Sequence, residues 1–555
     1  MALTITDKVY LGKAVPDSGG SAINNEDINV VSNGIYTASE GYTGLGTVNV
    51  NVPNPSTGTK NITANGVYDV TSYASADVQV PTTAPSRYLQ YSVDADGKLI
   101  HDPTAATVIN LNGVTDISAN ILLSAYYGNT TLTGTVDLSS LTAVSGDYAC
   151  SNMFNSCTGI TSVDLSSLEN VSGQNACYAM FQVCTGITSV DLSSLKTATY
   201  NSSCSYMFNR CTGITGALDL SALTAVTGTS GCNSMFSACS GITSVDLSSL
   251  TAITNANACS NMFYQCTNLA SVNLSHLCKL NSSSSIGTMF GLTSLTSLSF
   301  PNLAYTATNI NGAFYNTLTG VTGCTVHFPS DWQTDMASYS NITNGLGGTN
   351  TTVLFDLPAV TTLDLSHITS VVGYNQFGYL ASSNYFPNVT SVDLSSLTNI
   401  SSERGCQGMF NGSTGITSVD LSSLTTVSGR IACQYMCQGC TGLTGAVDLS
   451  SLTTVSGNSA CESMFSGCTG ITSVDLSSLE TVSGSGGCGY MFKNCTSLTS
   501  LSFPALKTVL NAYVFGGMLD GVTGCTVHFP SNLSSYNFNC GGTNTTVLYD
   551  LPATA

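Results

Sequence analysis

Ten aspartates recur at one position of a repeated motif and form the most suggestive set of reactive side chains in the sequence. Each begins an Asp-x-Ser pattern, and neighbours within a series lie 27 to 29 residues apart. Stacked carboxylates could bind cations or a polar ligand. Alternatively, each Asp accepts hydrogen bonds from nearby Ser hydroxyls or backbone amides. We favour the second interpretation because calcium requires several converging oxygen ligands. The candidate stripe is Asp137, Asp164, Asp191, Asp219, Asp246, Asp364, Asp393, Asp420, Asp448 and Asp475.

The 22 cysteines follow the same period, and most form pairs seven residues apart, such as Cys461 and Cys468. On a helix such a pair would share one face but lie about 10 Å apart along the axis, too far for a disulfide. A disulfide between cysteines of neighbouring coils stays sterically possible. We favour small buried thiols stacked in ladders. The structural thiol ladder comprises Cys157, Cys184, Cys211, Cys239, Cys266, Cys440, Cys468 and Cys495.

One cysteine cluster, Cys433, Cys437 and Cys440, invites a zinc-binding interpretation. A structural zinc site needs four converging ligands, and no His lies near this cluster in the sequence. We therefore predict no metal and no cofactor.

Four of the five histidines occupy template positions, as the pairs His276/His367 and His327/His528. A catalytic residue is usually unique in its chain, so this repetition argues against His-based catalysis. The sequence also lacks a Gly-rich phosphate loop, a nucleophile elbow and a metal-ligand helix motif. A carboxylate pair for glycoside cleavage stays open, because two Asp of the stripe could stand at hydrolase distance. We predict a protein that is not an enzyme.

The single Trp, Trp332, lies outside the repeat pattern together with Asp331 and the loop around Tyr339. Non-repeating aromatic residues on a repeat scaffold are candidate ligand contacts. The alternative, which we favour, is a Trp packed over the end of the repeat array.

The elements that carry these residues are copies of one motif, represented by ACESMFSGCTGITSVDLSSL at residues 460–479. Its strand part, VDLSSL, recurs in two series with steps of 26 to 29 residues. A period this short and regular predicts a solenoid, in which each coil is stabilised by its neighbours. The strand part begins at Ile109, Val136, Val163, Val190, Leu218, Val245, Val272 and Leu298, and then at Leu363, Val392, Val419, Val447, Val474 and Leu501.

Each coil should contain a strand and a short helix. In VDLSSL, apolar residues alternate with polar ones, which predicts a parallel strand with one buried face. In the segment before it, apolar residues fall at i, i+1, i+4, i+5 and i+8 from Ala460 to Cys468, which predicts a short helix that ends at a left-handed Gly470. The fold class is therefore an α/β solenoid of leucine-rich-repeat coils of about 27 residues, in two duplicated arrays preceded by small antiparallel β modules.

The coils resemble the BspA-type leucine-rich repeats of bacteria, which carry an aromatic-containing helix, a buried Cys and then an apolar strand. The resemblance rests on MFNSCTGITSVDL (153–165), MFSGCTGITSVDL (464–476) and MFKNCTSLTSLSFP (491–504), and it extends over roughly residues 105–555. The chain departs from the commoner form in having Met-Phe where Ala-Phe is usual and a second Cys seven residues earlier. The resemblance implies a surface adhesion or interaction protein.

Composition excludes several function classes. The 555 residues are 42% hydrophobic, enough for a large core, but only 8% are charged, so the outer faces must carry uncharged hydroxyls and amides. The formal net charge of −19 argues against binding to nucleic acid or to an anionic membrane surface. We see neither a run of 18 apolar residues nor a signal-peptide core, and we expect no membrane span and no Sec leader.

The chain divides into five predicted segments. Two short β repeats, at residues 33–53 and 65–81, each contain Asn-Gly, two Tyr and a closing strand, and each predicts a small antiparallel unit. They resemble short β repeats in structural proteins of phages that infect gut Firmicutes. The segments are an N-terminal lead for attachment (1–29), two β repeats with linkers at 54–60 and 81–87 (30–87), a β hairpin (88–104), array 1 with closing rungs (105–358) and array 2 with closing rungs (359–555).

Our main functional prediction is a non-enzymatic phage virion protein, a fibre, spike or decoration protein. Its N-terminal region would attach to other virion proteins, and its solenoid would adhere to a host cell-surface glycan or protein. The thiol-rich interior suits assembly in a reducing host cytoplasm. The alternative is a BspA-like adhesin on the bacterial cell surface, and a third class is a polysaccharide-degrading tailspike. The residues leave the oligomeric state open, including a homotrimer.

Overall fold

The computed structural model describes residues 126–280, 285–303, 310–332, 345–382 and 388–554, the pair 116–117 and, N-terminal to these, strands alone. The predicted linker 81–87 and the Tyr339 loop lie outside the described residues. The chain forms two units, which we describe separately. The first comprises Met1–Leu168, Asn175–Leu192 and Tyr206–Thr215, and the second comprises Glu169–Gln174, Ser193–Ser205 and Gly216–Ala555.

The N-terminal strands pair across the two predicted β repeats. The two Asn-Gly-x-Tyr segments form strands that pair antiparallel with each other, Ile35–Ala38 against Gly66–Asp69, so the first repeat does not form an antiparallel unit of its own. The closing strand predicted for the second repeat lies outside the described residues. Thr57–Asn61 pairs antiparallel with Thr47–Asn51, and the segment 54–60 therefore enters a strand instead of acting as a linker. The strands are Leu3–Ile5, Tyr10–Leu11, Ile28–Val30, Ile35–Ala38, Thr47–Asn51, Thr57–Asn61, Gly66–Asp69, Tyr91–Val93 and Leu99–His101.

The main ladder is the set of parallel strands built on VDLSSL. Their alternating pattern buries one face, and equivalent residues pair in register, as Val163 with Val190 and Asp164 with Asp191. The predicted parallel solenoid of leucine-rich-repeat spacing is confirmed. The strands are Ile109–Asn110, Gly134–Asp137, Ile160–Asp164, Ser189–Asp191, Thr215–Asp219, Gly241–Asp246, Ser271–Asn273, Ser297–Ser299, Thr325–Pro329 and Thr352–Leu357, followed by Thr362–Asp364, Ser391–Asp393, Ser418–Asp420, Thr444–Asp448, Gly470–Asp475, Ser500–Ser502, Thr526–Pro530 and Thr546–Leu551.

The short ladder is a second set of strands, each two residues long. A turn closed by a bond such as Leu479 N–H to the Leu476 carbonyl (3.1 Å) leads from a main strand to a short one. The strands are Ala143–Val144, Asn170–Val171, Thr197–Ala198, Ala225–Val226, Ala252–Ile253 and Lys279–Leu280, followed by Ser370–Val371, Asn399–Ile400, Thr426–Val427, Thr454–Val455, Thr481–Val482 and Thr508–Val509.

The third side of a coil is a run of tight turns, and the predicted short helix is wrong there. Cys461 donates its N–H to the Gly487 carbonyl of the next coil (2.8 Å), whereas Met464 donates back three residues to Cys461 (3.2 Å). Ser459 and Ser463 have left-handed φ angles of 51° and 56°. Alternate N–H groups are thus used between coils, so a helical ladder of i to i−4 bonds cannot form. We call this side the turn ladder.

The described helices are short and few. Gly470 ends no helix: it begins a strand, and a Cβ there would lie 2.8 Å from the Leu443 carbonyl oxygen of the preceding coil. The close approach of two coils, not a left-handed backbone, therefore requires this glycine. The described helices are the α-helix Ile310–Ala313 and the 3-10 helices Ala512–Phe515 and Ser531–Tyr536.

The core of each unit is a stack of equivalent side chains. In the first unit Phe181 lies between Phe154 and Phe208, with ring centroids 5.0 and 5.2 Å apart and nearly parallel planes. Offset stacking at this distance adds to the burial of the rings. Cys184 donates its thiol to the Phe154 carbonyl of the preceding coil, 2.9 Å away. Each coil thus covers the apolar face of its neighbour.

The second array does not continue the sheet of the first. Thr362–Asp364 begins a new sheet and pairs with Ser391–Asp393. Its first coil lies instead against the flank of the first array, where Ala225, Ala252 and Cys278 from three successive coils join its apolar core. The flank therefore covers the end of the second array, which a solenoid must shield from water.

Polar bonds fix this flank contact, which we call the seam. Gln376 donates its side-chain amide to the Thr224 hydroxyl at 2.7 Å. The buried ammonium of Lys279 donates to the Tyr379 carbonyl, and burial lowers the pKa of Lys279 from 10.5 to about 8.

Candidate functional site

The Asp stripe lies on the outward face of the main ladder, where nine of the carboxylates accept a hydrogen bond from their own coil. Oδ1 of Asp420 accepts from the Ser422 N–H at 3.0 Å and from its hydroxyl at 2.7 Å. The N–H bond, at 2.8 to 3.1 Å, recurs at nine members of the stripe: Asp137, Asp164, Asp219, Asp246, Asp364, Asp393, Asp420, Asp448 and Asp475. One oxygen of each of these nine carboxylates is thus engaged locally.

Carboxylates of successive coils stand side by side, since Asp448 pairs in register with Asp475. Strands about 4.8 Å apart give neighbouring carboxylates a repulsion near 1 kcal/mol in water. The local bonds offset it: the Ser450 hydroxyl and then its backbone N–H lower the pKa of Asp448. At Asp364 the Ser366 hydroxyl is likewise the first cause of a lowered pKa.

A pocket of about 520 Å³ opens on this face in the second unit. Asp448 and Asp475 line it together with three hydroxyls, from Ser473, Ser477 and Ser502. Their groups can accept from and donate to a polar ligand. Two members of the predicted stripe thus share one candidate ligand site.

All 22 cysteines are buried as thiols, outside disulfides. The thiol of Cys468 donates to the Cys437 carbonyl of the preceding coil at 3.0 Å. In the coil where Ser413 replaces this Cys, the Ser hydroxyl makes the equivalent bond to the Ala381 carbonyl. Cys437 occupies the place of a core Phe, with its thiol next to that of Cys440.

Trp332 lies in the core, 1% exposed, and does not fit the candidate role of a ligand contact. Its ring stacks on Phe328 with centroids 4.9 Å apart, and its indole N–H donates to the Leu303 carbonyl at 3.0 Å. The indole is therefore a packing residue at a closing rung.

The described structure brings together one further group that sequence reasoning missed. In the part of the chain that is described, one set of three potential metal ligands converges: His276, Asp364 and His367. The imidazole centroids of the two His are 4.3 Å apart. Burial, followed by the nearby His276, lowers the pKa of His367 from 6.5 to about 4. The sequence signal was present, since only these two coils have His for the second Ser of Asp/Asn-Leu-Ser-Ser.

The other template pair forms two separate contacts on closing rungs. Nδ1 of His327 lies 2.9 Å from Asp356, and Nδ1 of His528 lies 2.9 Å from Asp550. Each involves a single His.

Helices among the described residues are too short to span a bilayer.

Comparison with known proteins supports the family resemblance. Residues 227–320 and 382–520 match the BspA type leucine rich repeat region, in six copies. Comparison with curated proteins gives no match.

Three solved bacterial structures are similar to parts of this chain. A leucine-rich repeat protein from Bacteroides ovatus is 16% identical, with coverage of 83% of this chain and 98% of that one and a TM-score of 0.23. A leucine rich repeat protein from T. pallidum is 14% identical, with coverage of 48% and 99% and a TM-score of 0.23. A leucine rich cell surface protein from Faecalibacterium prausnitzii is 14% identical, with coverage of 76% and 92% and a TM-score of 0.19. Likenesses at this level carry no argument about what the present chain binds.

The matches bear differently on the two functional predictions. The family match agrees with the BspA-like alternative better than with the virion prediction. The virion prediction gains no support from them.

Proposed function

We propose that this chain, whose residues 227–320 and 382–520 carry BspA-type leucine-rich repeats, is a non-enzymatic adhesion protein of the bacterial cell surface. The main ladder is its binding face. The observation that carries the proposal is the in-register row of carboxylates and hydroxyls there, which ends in the pocket between Asp448 and Asp475.

The partner is a cell-surface glycan or protein that offers hydroxyl or amide hydrogens. With a net charge of −19 and only 8% charged residues, this surface recognises by hydrogen bonds instead of by attraction to anions. Equivalent groups repeat once per coil, so weak contacts with a repetitive partner add up through multivalency.

The binding face can be tested with a double variant, Asp448→Asn with Asp475→Asn, on the full chain. Two kinds of binding should fall about tenfold or more: binding to cells of the organism that the bacterium colonises, measured by flow cytometry, and binding to a glycan array. The reason is that each change removes a charge-assisted hydrogen-bond acceptor. The matched control, Glu462→Gln with Glu480→Gln, removes the same charge away from the main ladder. Equal binding by both double variants would exclude this face.

The location needs its own test, since binding alone does not distinguish a cell-surface protein from a virion protein. Immunogold labelling of producing cells and of purified phage particles from the same culture should mark the cell envelope. Label on the particles and not on the envelope would overturn the proposed location and restore the virion prediction.

A further inference from the structure

We propose that His276, Asp364 and His367 bind a divalent transition-metal ion, with Zn²⁺ as the best match. One ring nitrogen of each His and a carboxylate oxygen of Asp364 all lie within 4.8 Å of one another. Two imidazoles and one carboxylate are a donor set that zinc accepts with three protein ligands. The site lies at the seam and shares Asp364 with the Asp stripe, but metal binding there does not depend on the proposed adhesion role.

His276 presents a free ring nitrogen to the cluster. Its Nδ1 lies 2.5 Å from the Ser248 carbonyl oxygen. A carbonyl oxygen can only accept, so Nδ1 carries the proton and Nε2 keeps its lone pair. That Nε2 lies 3.9 Å from Oδ2 of Asp364, which is too long for a hydrogen bond.

Asp364 is oriented in a similar way. Its Oδ1 accepts from the backbone N–H and the hydroxyl of Ser366, at 3.0 and 2.7 Å. Oδ2 is the oxygen that remains on the side of His276. Hydrogen bonds that hold the outer atoms of metal ligands are the usual means of fixing such a site.

His367 supplies the independent observation that points to a ligand. Its Nε2 lies 3.0 Å from the Thr251 hydroxyl, which itself donates to the Ser249 carbonyl. That hydroxyl must therefore accept from Nε2–H, which leaves the lone pair on Nδ1. Among the described residues, Nδ1 of His367 is buried without a hydrogen-bond partner. A bound cation would satisfy it.

The geometry needs only a small adjustment to hold the ion. Ligands bonded to zinc at about 2.0–2.1 Å in a tetrahedron lie about 3.3 Å apart, so the side chains must close by about 1.5 Å at most. His276 comes from the first array, and Asp364 and His367 come from the second. The bound ion would therefore fasten the two arrays together.

Metal binding should be measured on the full chain after treatment with a chelator, with Zn²⁺ followed by isothermal titration calorimetry and Co²⁺ by absorption. We expect one ion per chain, a higher thermal midpoint with Zn²⁺, and Co²⁺ d–d bands without a thiolate-to-metal charge-transfer band. His276→Gln and Asp364→Asn, both at partly exposed side chains, should each abolish the calorimetric signal and the midpoint shift. Circular dichroism would verify their fold.

Two variants serve as matched controls. His327→Gln and His528→Gln each remove one His beside a carboxylate, and both should bind Zn²⁺ like the unaltered chain. No binding by the unaltered chain, binding retained by His276→Gln, or a thiolate band with Co²⁺ would each overturn the proposal.

Discussion

Alkaline pH should unfold this protein because its interior is full of thiols. Burial is the first cause of a pKa raised above the ordinary value of 9.0 at twelve of them, among them Cys157 and Cys266, whose pKa rises to about 12. The others are Cys184, Cys259, Cys278, Cys324, Cys406, Cys468, Cys488, Cys495, Cys525 and Cys540. A thiol whose folded pKa is raised stabilises the fold below pH 9 and loses that contribution as the pH rises above it.

The size of the effect follows from ionisation of the unfolded chain. At pH 10 an unfolded thiol of pKa 9.0 is stabilised by about 1.4 kcal/mol, while its buried counterpart stays protonated. Twelve thiols then remove about 17 kcal/mol, more than the 5–15 kcal/mol typical of a folded domain. Lys279 acts in the opposite direction, because its pKa is lowered from 10.5 to about 8 and folding therefore becomes easier as the pH rises between these values. That gain is about 3 kcal/mol, so the thiols dominate.

The assay is urea denaturation between pH 7 and pH 10 in the presence of a non-thiol reductant, followed by circular dichroism and by thiolate absorbance. The free energy of unfolding should fall steeply above pH 9, and thiolate absorbance should rise only as structure is lost. Cys468→Ser should reduce the slope by about 1.4 kcal/mol per pH unit, and Ser413→Cys, which adds a thiol at an equivalent position, should increase it equally. Similar stability at pH 7 and pH 10, or thiolates that appear in the folded protein, would refute the reasoning.

Substitutions at three positions test the coil interior by urea denaturation at pH 7. Cys468→Ala should lower the free energy of unfolding by about 2 kcal/mol, and Cys468→Ser by less than about 1 kcal/mol, because Ser413 makes the same bond; equal losses would contradict this. Phe181→Ala should cost about 3–5 kcal/mol, since the ring is buried between two others, and a loss below about 1 kcal/mol would show that the stack does not matter. Val183→Asn should add about 1 kcal/mol, because Val183 has a left-handed φ of 62°, as does Asn494 at the equivalent position (60°); a loss would contradict this.

Much of the fold could be predicted because the repeat fixes it. The strand positions and their register follow from the alternation in VDLSSL and from the constant step, and the Asp-x-Ser spacing led directly to the observed bonds. The helix prediction failed for a physical reason. Over the nine residues from Ala460 to Cys468, a stripe of period 3.6 and a run of four-residue turns place apolar side chains at the same positions.

The seam and its His cluster lay beyond the local pattern. The residues of a single coil do not predict that the first coil of the second array packs on Ala225 and Ala252, because such contacts depend on how the surfaces of two arrays fit together. The two substitutions of His for Ser were visible, yet their repetition indicated a template position. That His276 and His367 meet is a matter of tertiary packing alone.

The in-register main ladder also has a consequence for how such a chain changes in length. Val163 pairs with Val190 and Asp164 pairs with Asp191. The two faces of a coil, one packed on the preceding coil and one on the next, therefore contact nearly the same residues. After insertion or deletion of one whole coil, each of the coils that become neighbours still packs on residues like those that it contacted before. Unequal recombination between the near-identical coding units can therefore lengthen or shorten an array without a new core. The seam sets the limit, since coils between Ala225 and Cys278 are tied to a partner outside their own stack. Variation in coil number should thus concentrate away from the seam.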